Sequence, residues 1–356
     1  MRAIALVLVA GCASAGHVSR RAPAQAYREG VEFLVSRQNP DGSFSHGGGT
    51  HGWDVPMGSP ESFRAFKVAC TALCVMALRG PAKSDPRIAA ARERAIEWLV
   101  AHGKTNRALP GELYNVWTHA YVVHALSEER SPRLGPTIEW NIRMMERYET
   151  MWGGWQYYDS LGSQHPALEP TSFTTATGLV ALAEARQAGA AVPDRMVRRA
   201  LQVVEQCRMP DGRFCYDWGA IPRPQADINK PKGNISRSQP CNLALALWDG
   251  AVTDAQMRRD LELMFREHKW MDVARKRPIP HEGWYAHAGY FYYYAHMYAA
   301  RNIVRLGESG RLGPMMLDAV LPHQEADGSW WDFPDYTYDK FYGTAQALLA
   351  IEAFVR

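Results

Sequence analysis

Apolar residues recur at i, i+3 and i+4 through Val31-Glu-Phe-Leu-Val35 and Ile96-Glu-Trp-Leu-Val100. Charged clusters such as Arg92-Glu-Arg94, Arg198-Arg199 and Arg258-Arg-Asp260 accompany stretches of this kind. The spacing predicts amphipathic helices, each with one buried face. A second set is apolar nearly all round: Thr71-Ala-Leu-Cys-Val-Met-Ala-Leu78, His119-Ala-Tyr-Val-Val-His-Ala-Leu126, Thr175-Ala-Thr-Gly-Leu-Val-Ala-Leu182, Pro240-Cys-Asn-Leu-Ala-Leu-Ala-Leu247 and Thr344-Ala-Gln-Ala-Leu-Leu-Ala-Ile351. A degenerate, aromatic-rich copy spans Tyr290 to Ala300. Helices without a polar face are buried helices.

Equivalent positions in this second set are 71, 119, 175, 240, about 293 and 344, at intervals of 48, 56, 65, about 53 and about 51. A period of this size marks a repeat architecture. Six helical hairpins follow, each a charged outer helix and then an apolar inner one. An open solenoid would expose the inner shell at its ends, and no polar capping repeat is present. The expected fold is therefore all-α: an (α/α)6 toroid over residues 25–356, with inner helices lining a central cavity. Connections from inner to outer helices are short and those from outer to inner are long. The long loops and the inner-helix N-termini thus share one end, where function is expected.

Three of the long loops begin alike: Gln38-Asn-Pro-Asp-Gly-Ser-Phe44, Gln206-Cys-Arg-Met-Pro-Asp-Gly-Arg-Phe214 and Gln324-Glu-Ala-Asp-Gly-Ser-Trp330. Trp152-Gly-Gly-Trp155 and Glu282-Gly-Trp284 keep the glycine–aromatic half. These marks resemble the QW repeats of the terpene cyclase and protein prenyltransferase superfamily. The resemblance implies a toroid with the Gln, turn and aromatic as structural glue. Its catalytic signatures are missing. The acidic Asp-x-Asp-Asp cluster of squalene–hopene-like cyclases has no counterpart; Asp335-Tyr-Thr-Tyr-Asp339 is spaced differently. Gly343 stands where the zinc-binding His of prenyltransferase β-like subunits would be, and no Asp-x-Cys precedes it. No metal and no cofactor is expected.

Candidate chemistry lies in the long loops. Asp335, Asp339, Tyr338 and His287 are candidates for catalysis, as acid, base or donor. Arg237, Glu61, Glu169, Tyr290 and Tyr342 are candidates for binding a small molecule, lipid or glycan. Each has a structural alternative: Asp339, Glu61 and Glu169 as helix caps, Ser236 or Ser238 as the cap of a helix with Pro240 in its first turn, and the tyrosines as core. His119 and His124 read as core histidines. Two functions stay open: a diverged enzyme at the cavity mouth, or a non-catalytic binding or scaffold protein that kept the toroid.

The chain has 356 residues and a net charge of +3, which gives no electrostatic case for nucleic acid. Met1-Arg2 followed by an apolar run from Ala3 to Ala10 reads as a targeting segment within residues 1–20. Val9-Ala-Gly-Cys12 matches a lipobox, and Ala13-Ser-Ala15 suits ordinary signal cleavage. Either implies export, with membrane attachment only through a lipid on Cys12. Cys207 and Cys215 flank the Pro210-Asp-Gly212 turn, where a disulfide is an option in an oxidising compartment.

Overall fold

The computed structural model describes residues 21–45, 60–106, 114–158, 169–248, 250–334 and 339–355; the side chains at 60, 61 and 339 lie outside the description. Among the described residues the outer helices are α1 (Pro23–Ser36), α3 (Pro86–His102), α5 (Gly135–Arg147), α7 (Asp194–Gln206), α9 (Asp254–Arg266) and α12 (Ser309–Val320). The inner helices are α2 (Pro60–Leu78), α4 (Asn115–Ser127), α6 (Ser172–Gln187), α8 (Pro231–Leu247), α11 (Tyr292–Arg305) and α13 (Asp339–Ile351). One short helix, α10 (Lys269–Ala274), stands between α9 and α11. Each inner helix packs on the next, and α13 packs back on α2, so the inner ring closes. The chain is an (α/α)6 toroid.

The two shells differ as their patterns require. Every described residue of α4 except Trp117 is buried, and α6 is buried continuously from Ser172 to Ala183. The outer helices bury one stripe; in α7 it is Met196, Val197, Ala200, Val203 and Val204. Two of the outer helices, α3 and α9, start on side-chain caps. Asp85 accepts from the Arg87 and Ile88 amides, and Thr253 with Gln256 forms a reciprocal capping box on α9.

The repeated turns explain the closure. Gln38 donates to Gly42 O at 2.9 Å and across to Ala91 O of α3 at 2.7 Å. Gln324 does the same to Gly328 O at 2.9 Å and to Ala26 O of α1 at 2.8 Å. The last turn therefore grips the first outer helix as the first turn grips the second. Gly42, Gly153 and Gly328 have φ of 92°, 99° and 85°, and a Cβ on any of them would meet a carbonyl of the next outer helix at 2.7–2.9 Å. The aromatic then hands its amide to the inner-helix threonine: Phe44 N to Thr71 at 3.0 Å, Trp155 N to Thr175 at 3.0 Å, Trp330 N to Thr344 at 2.9 Å. At the seam the Trp330 ring fills the space over Gly30, where a Cβ would sit 2.5 Å away.

Several readings of the turns need correction. The Gln of the first and last turns bridges to the neighbouring outer helix. In the fourth turn the equivalent position is Arg208, four residues before Gly212, and not Gln206, whose Oε1 accepts from the Trp218 indole at 2.9 Å. Trp152-Gly-Gly-Trp155 is a complete turn with Glu149 in the Gln position, paired with Arg199 at 2.8 Å. Glu282-Gly-Trp284 is no such turn, since Trp284 is 50% exposed where Trp155 and Trp330 are 0%. Helix α8 begins at Pro231, not near Ser236, because Asn229 and Asn234 anchor the earlier turn through Arg213 Nη1; Pro240 lies inside the helix. Cys207 and Cys215 are free thiols, buried with Met209.

Candidate active site

Aromatic side chains gather at the N-terminal ends of the inner helices. Trp117 of α4 stacks near Phe173 of α6 at 6.3 Å, and Phe173 meets Phe291, just before α11, edge-on at 5.1 Å. Tyr157 and Tyr216 join them through a hydroxyl–hydroxyl bond of 3.2 Å. Tyr290 packs on Phe333 at 5.3 Å, and the Tyr342 hydroxyl donates to Tyr290 O at 3.2 Å. Phe173, Phe291 and Tyr294 are fully buried, whereas Trp117, Tyr157, Tyr216, His281, Tyr290 and Tyr342 are half-buried. The result is an aromatic bowl with an apolar floor and hydroxyl-bearing walls.

His281 is the polar centre of its wall. Its Nδ1 lies 3.1 Å from Ala286 O, which only accepts, so Nδ1 carries the hydrogen. Nε2 is then bare and accepts from the Tyr290 hydroxyl at 3.3 Å. Burial and then the nearby Arg237 charge push His281 down to about 4, against the Ala286 hydrogen bond, so it is neutral. The backbone contributes to this placement. Among the described residues only Arg130, Lys276, His281 and Ala286 are non-glycines in the left-handed region, and three of the four belong to this loop. Strain concentrated in one loop marks a site whose geometry the surroundings impose.

Arg237, on α8, is fully buried beneath this wall. Its guanidinium sits 4.9 Å from the Tyr216 ring centroid and 5.5 Å from that of Phe291, and donates to Gly233 O and, at 2.6 Å, to Ile228 O. Burial lowers it to about 10, so it stays charged at neutral pH. Among the described residues no carboxylate forms an ion pair with it. It braces the loop from Tyr216 to Asn229, and its charge adds to the burial that keeps His281 and His287 neutral.

The structure brings Tyr290, Tyr342 and Arg237 together. His287 is fully buried against Phe291 and only its carbonyl serves the loop, accepting from His281 N at 2.8 Å. The histidine on the aromatic wall is His281 rather than the candidate His287, and the left-handed backbone at 281 places it there. Glu169 is exposed, its carboxylate against Gly219, and does not enter the bowl. Asp335 and Tyr338, and the side chains of Asp339 and Glu61, lie outside the described residues. Asp332, passed over in the sequence, is fully buried and accepts from Tyr293 N at 3.1 Å, capping the start of α11. Its only sequence signal is its place in the acidic, aromatic last loop.

The opposite end is built differently. His124, Glu128 and Glu184 lie within 4.8 Å of one another. A cation there would face competition already in place: Arg301 donates to Glu184 and, at 3.2 Å, to His124 Nε2, while Arg79 pairs with Glu128 at 3.0 Å. Two carboxylates and two guanidiniums balance, which does not suit a metal. His124 is thus part of a charge plug rather than an isolated core histidine. His119 is a core histidine: its Nδ1 meets Asn141 Oδ1 at 2.8 Å, and burial lowers it to about 4. A groove of about 600 Å³ also opens at this end, lined by Arg28, Glu32, Asp85 and Arg87, where Arg87 pairs with Glu32 and Asp85.

No family model and no curated protein sequence matches the chain. Solved structures match its fold along almost all its length. A cellobiose 2-epimerase from Spirochaeta thermophila aligns with a TM-score of 0.59 at 13% identity, covering 93% of this chain and 95% of that one. A possible member of the GH105 family from Salmonella enterica aligns with a TM-score of 0.56 at 15% identity, covering 96% and 95%. A type II terpene cyclase from Scytonema, solved with geranylgeranyl dihydroxybenzoate, aligns with a TM-score of 0.53 at 10% identity, covering 94% and 97%. At these identities the likeness is one of fold, and these neighbours are enzymes built on an α/α toroid.

Proposed function

We propose that the chain is an enzyme that stacks a sugar ring in the aromatic bowl and moves protons on it, with Tyr290 and His281 as the acid–base pair. The observation that carries this reading is the hydrogen bond from Tyr290 to a histidine whose tautomer is fixed from behind. In the step proposed, a carbon next to a carbonyl gives its proton to the Tyr290 oxygen while the Tyr290 proton passes to His281 Nε2. Return of the proton to the same carbon, after the enediolate turns its other face to the pair, gives epimerisation; return to the former carbonyl carbon, with the neighbouring hydroxyl proton passing to the old carbonyl oxygen, gives isomerisation. Aromatic faces with hydroxyls at their edges suit a sugar, which is apolar on its ring faces and polar round its rim. Support also comes from the toroid neighbours named for sugar chemistry. Hydrolysis finds less support, because no pair of carboxylates converges on the bowl among the described residues.

A second reading has its own observation. At about 4, His281 is a weak base at neutral pH. That favours a binding protein in which Tyr290 and Tyr342 hold a glycan without turning it over. Saturation-transfer NMR against a panel of aldoses, ketoses and disaccharides tests both. Binding lost in Tyr290→Phe together with product formation supports the enzyme; binding with no product supports the second reading; no binding by any sugar sinks both.

We further propose that the protein is exported. The support is the charged start, the apolar run and the lipobox-like Val9-Ala-Gly-Cys12. No described helix is long and apolar enough to cross a membrane. Mass spectrometry of the N-terminus distinguishes the outcomes: a diacylated Cys12, a chain cut after Ala15, or an intact Met1 that refutes export.

A further inference from the structure

Below the bowl, two histidines face one another in a way that requires a cation between them. His296 Nδ1 lies 2.7 Å from Tyr292 O, one turn earlier on α11. A carbonyl only accepts, so Nδ1 carries the hydrogen and His296 Nε2 is a bare lone pair. His268 Nδ1 lies 3.0 Å from Asp272 Oδ2. Burial works against ionisation of Asp272, but the hydrogen bonds and charges of His268 and His323 outweigh it and hold the carboxyl well below the ordinary range. Asp272 therefore accepts, and His268 Nδ1 carries a hydrogen as well. Yet the two Nε2 atoms are 3.0 Å apart. Two lone pairs repel at that distance, whereas it is an ordinary length for N–H···N.

We propose that His268 carries both ring protons, and that this imidazolium, held between Asp272 and His296, clamps the segments beneath the bowl. The groups that face it come from each packed element: Asp272 from α10, His296 and Tyr292 from α11, and His323 from the turn after α12. His323 Nε2 is 3.8 Å from Asp272 Oδ1, and the Tyr292 hydroxyl donates to the same oxygen at 3.3 Å. Arg275 lies 5.8 Å over the Tyr292 ring, and Lys276 beside it pairs with Glu325. His268 is only slightly exposed and His296 is fully buried, so water does not replace the missing partner. With just these two histidine nitrogens converging, a proton fits better than a metal, which requires three or four ligands.

The clamp joins the two segments that make the working pair, and this part of the inference rests on the reading of that pair given above. Helix α10 runs into the loop that carries His281, and α11 begins two residues after Tyr290. Removing the proton on the alkaline side leaves lone pair against lone pair, so the segments part and the His281–Tyr290 bond is lost. The site is then intact while His268 holds both protons and is lost when the second is removed.

The test uses the full chain. Long-range nitrogen–proton imidazole spectra from pH 6 to 9.5 should show His268 protonated at both nitrogens at the low end, losing Nε2–H as the pH rises. His296 should remain the neutral Nδ1–H form. The thermal midpoint should fall by about 3 °C along that alkaline limb, and sugar binding should fall with it. In His268→Lys, whose ammonium donates to Asp272 and His296 throughout, both should stay level. A bare His268 Nε2 at pH 6, or a stoichiometric transition metal whose removal by EDTA shifts both Nε2 signals, overturns the proposal. An imidazolium with a level midpoint in the wild type overturns the clamp. Absence of sugar binding at every pH, with the imidazolium present, overturns the site reading and the gate built on it, and leaves the clamp standing.

Discussion

The two ends of the barrel each hold a histidine on or beside the inner ring, and they treat it in opposite ways. At the short-loop end His124 is enclosed by Glu128, Glu184, Arg79 and Arg301, whose charges cancel. At the long-loop end His281 has no carboxylate partner among the described residues; burial and Arg237 keep it neutral, and its second ring nitrogen meets a tyrosine. A plug of paired charges stabilises and excludes ligands. A neutral, oriented imidazole on an aromatic wall is available for chemistry. The same helix-hairpin geometry supports both, because the residues set at each end differ while the hairpins do not.

Acid should separate the ends most strongly. His119 and His281 are lowered to about 4 and His296 to about 3, all by burial first. The unfolded chain binds protons from about pH 6.5 downward and the folded chain does not until near those values. The stability contributed by these three neutral rings is thus full above about 6.5 and is lost as pH falls toward 4, by roughly 2 kcal/mol per histidine at pH 5. Urea titrations at pH 7 and 5 measure this; an unchanged midpoint would contradict the burial assigned to these rings. Arg301→Met should cost about 3 kcal/mol, since Glu184 and His124 lose their shared donor in a largely buried network. Ligand affinity of the folded protein should stay unchanged, and a loss of affinity would break the division between the ends.

Tyr290→Phe should do the reverse, lowering turnover about 100-fold while chemical denaturation shifts by less than about 1 kcal/mol. The smallest effect expected is at the rim. Lys340 and Lys67 pair with Asp327 and Asp41 of the repeated turns at 2.7 and 3.0 Å, and both pairs are partly exposed. Lys340→Ala should change stability by about 0.5 kcal/mol. A shift above about 2 kcal/mol would mean that the turn charges, rather than the Gln bridges, close the ring.

The ring was legible from periodicity because six copies of one hairpin share one physical demand: an apolar inner helix needs a polar outer one over it. The turns were legible where Asp-Gly stayed next to the aromatic, and misread at Gln206, since Arg208 meets the same geometric need with different chemistry. Tyr290, Tyr342 and Arg237 could be picked out because tyrosines and an arginine towards the long-loop end are unusual in an apolar shell. His281 could not. Its position depends on left-handed backbone at 276, 281 and 286, none of them glycine, so no residue type announced the fold-back. The charge plug escaped notice for a similar reason: Glu128, Glu184 and Arg301 are far apart in sequence and meet only when the ring closes.

The decisive question is whether the bowl moves a proton on a sugar. The direct measurement is deuterium incorporation next to the carbonyl of a bound aldose or disaccharide in heavy water, followed by proton NMR. The prediction is incorporation with the wild type, its loss in Tyr290→Phe, and its retention in Arg301→Met. Incorporation that survives Tyr290→Phe, or a bound sugar that never exchanges, would contradict it.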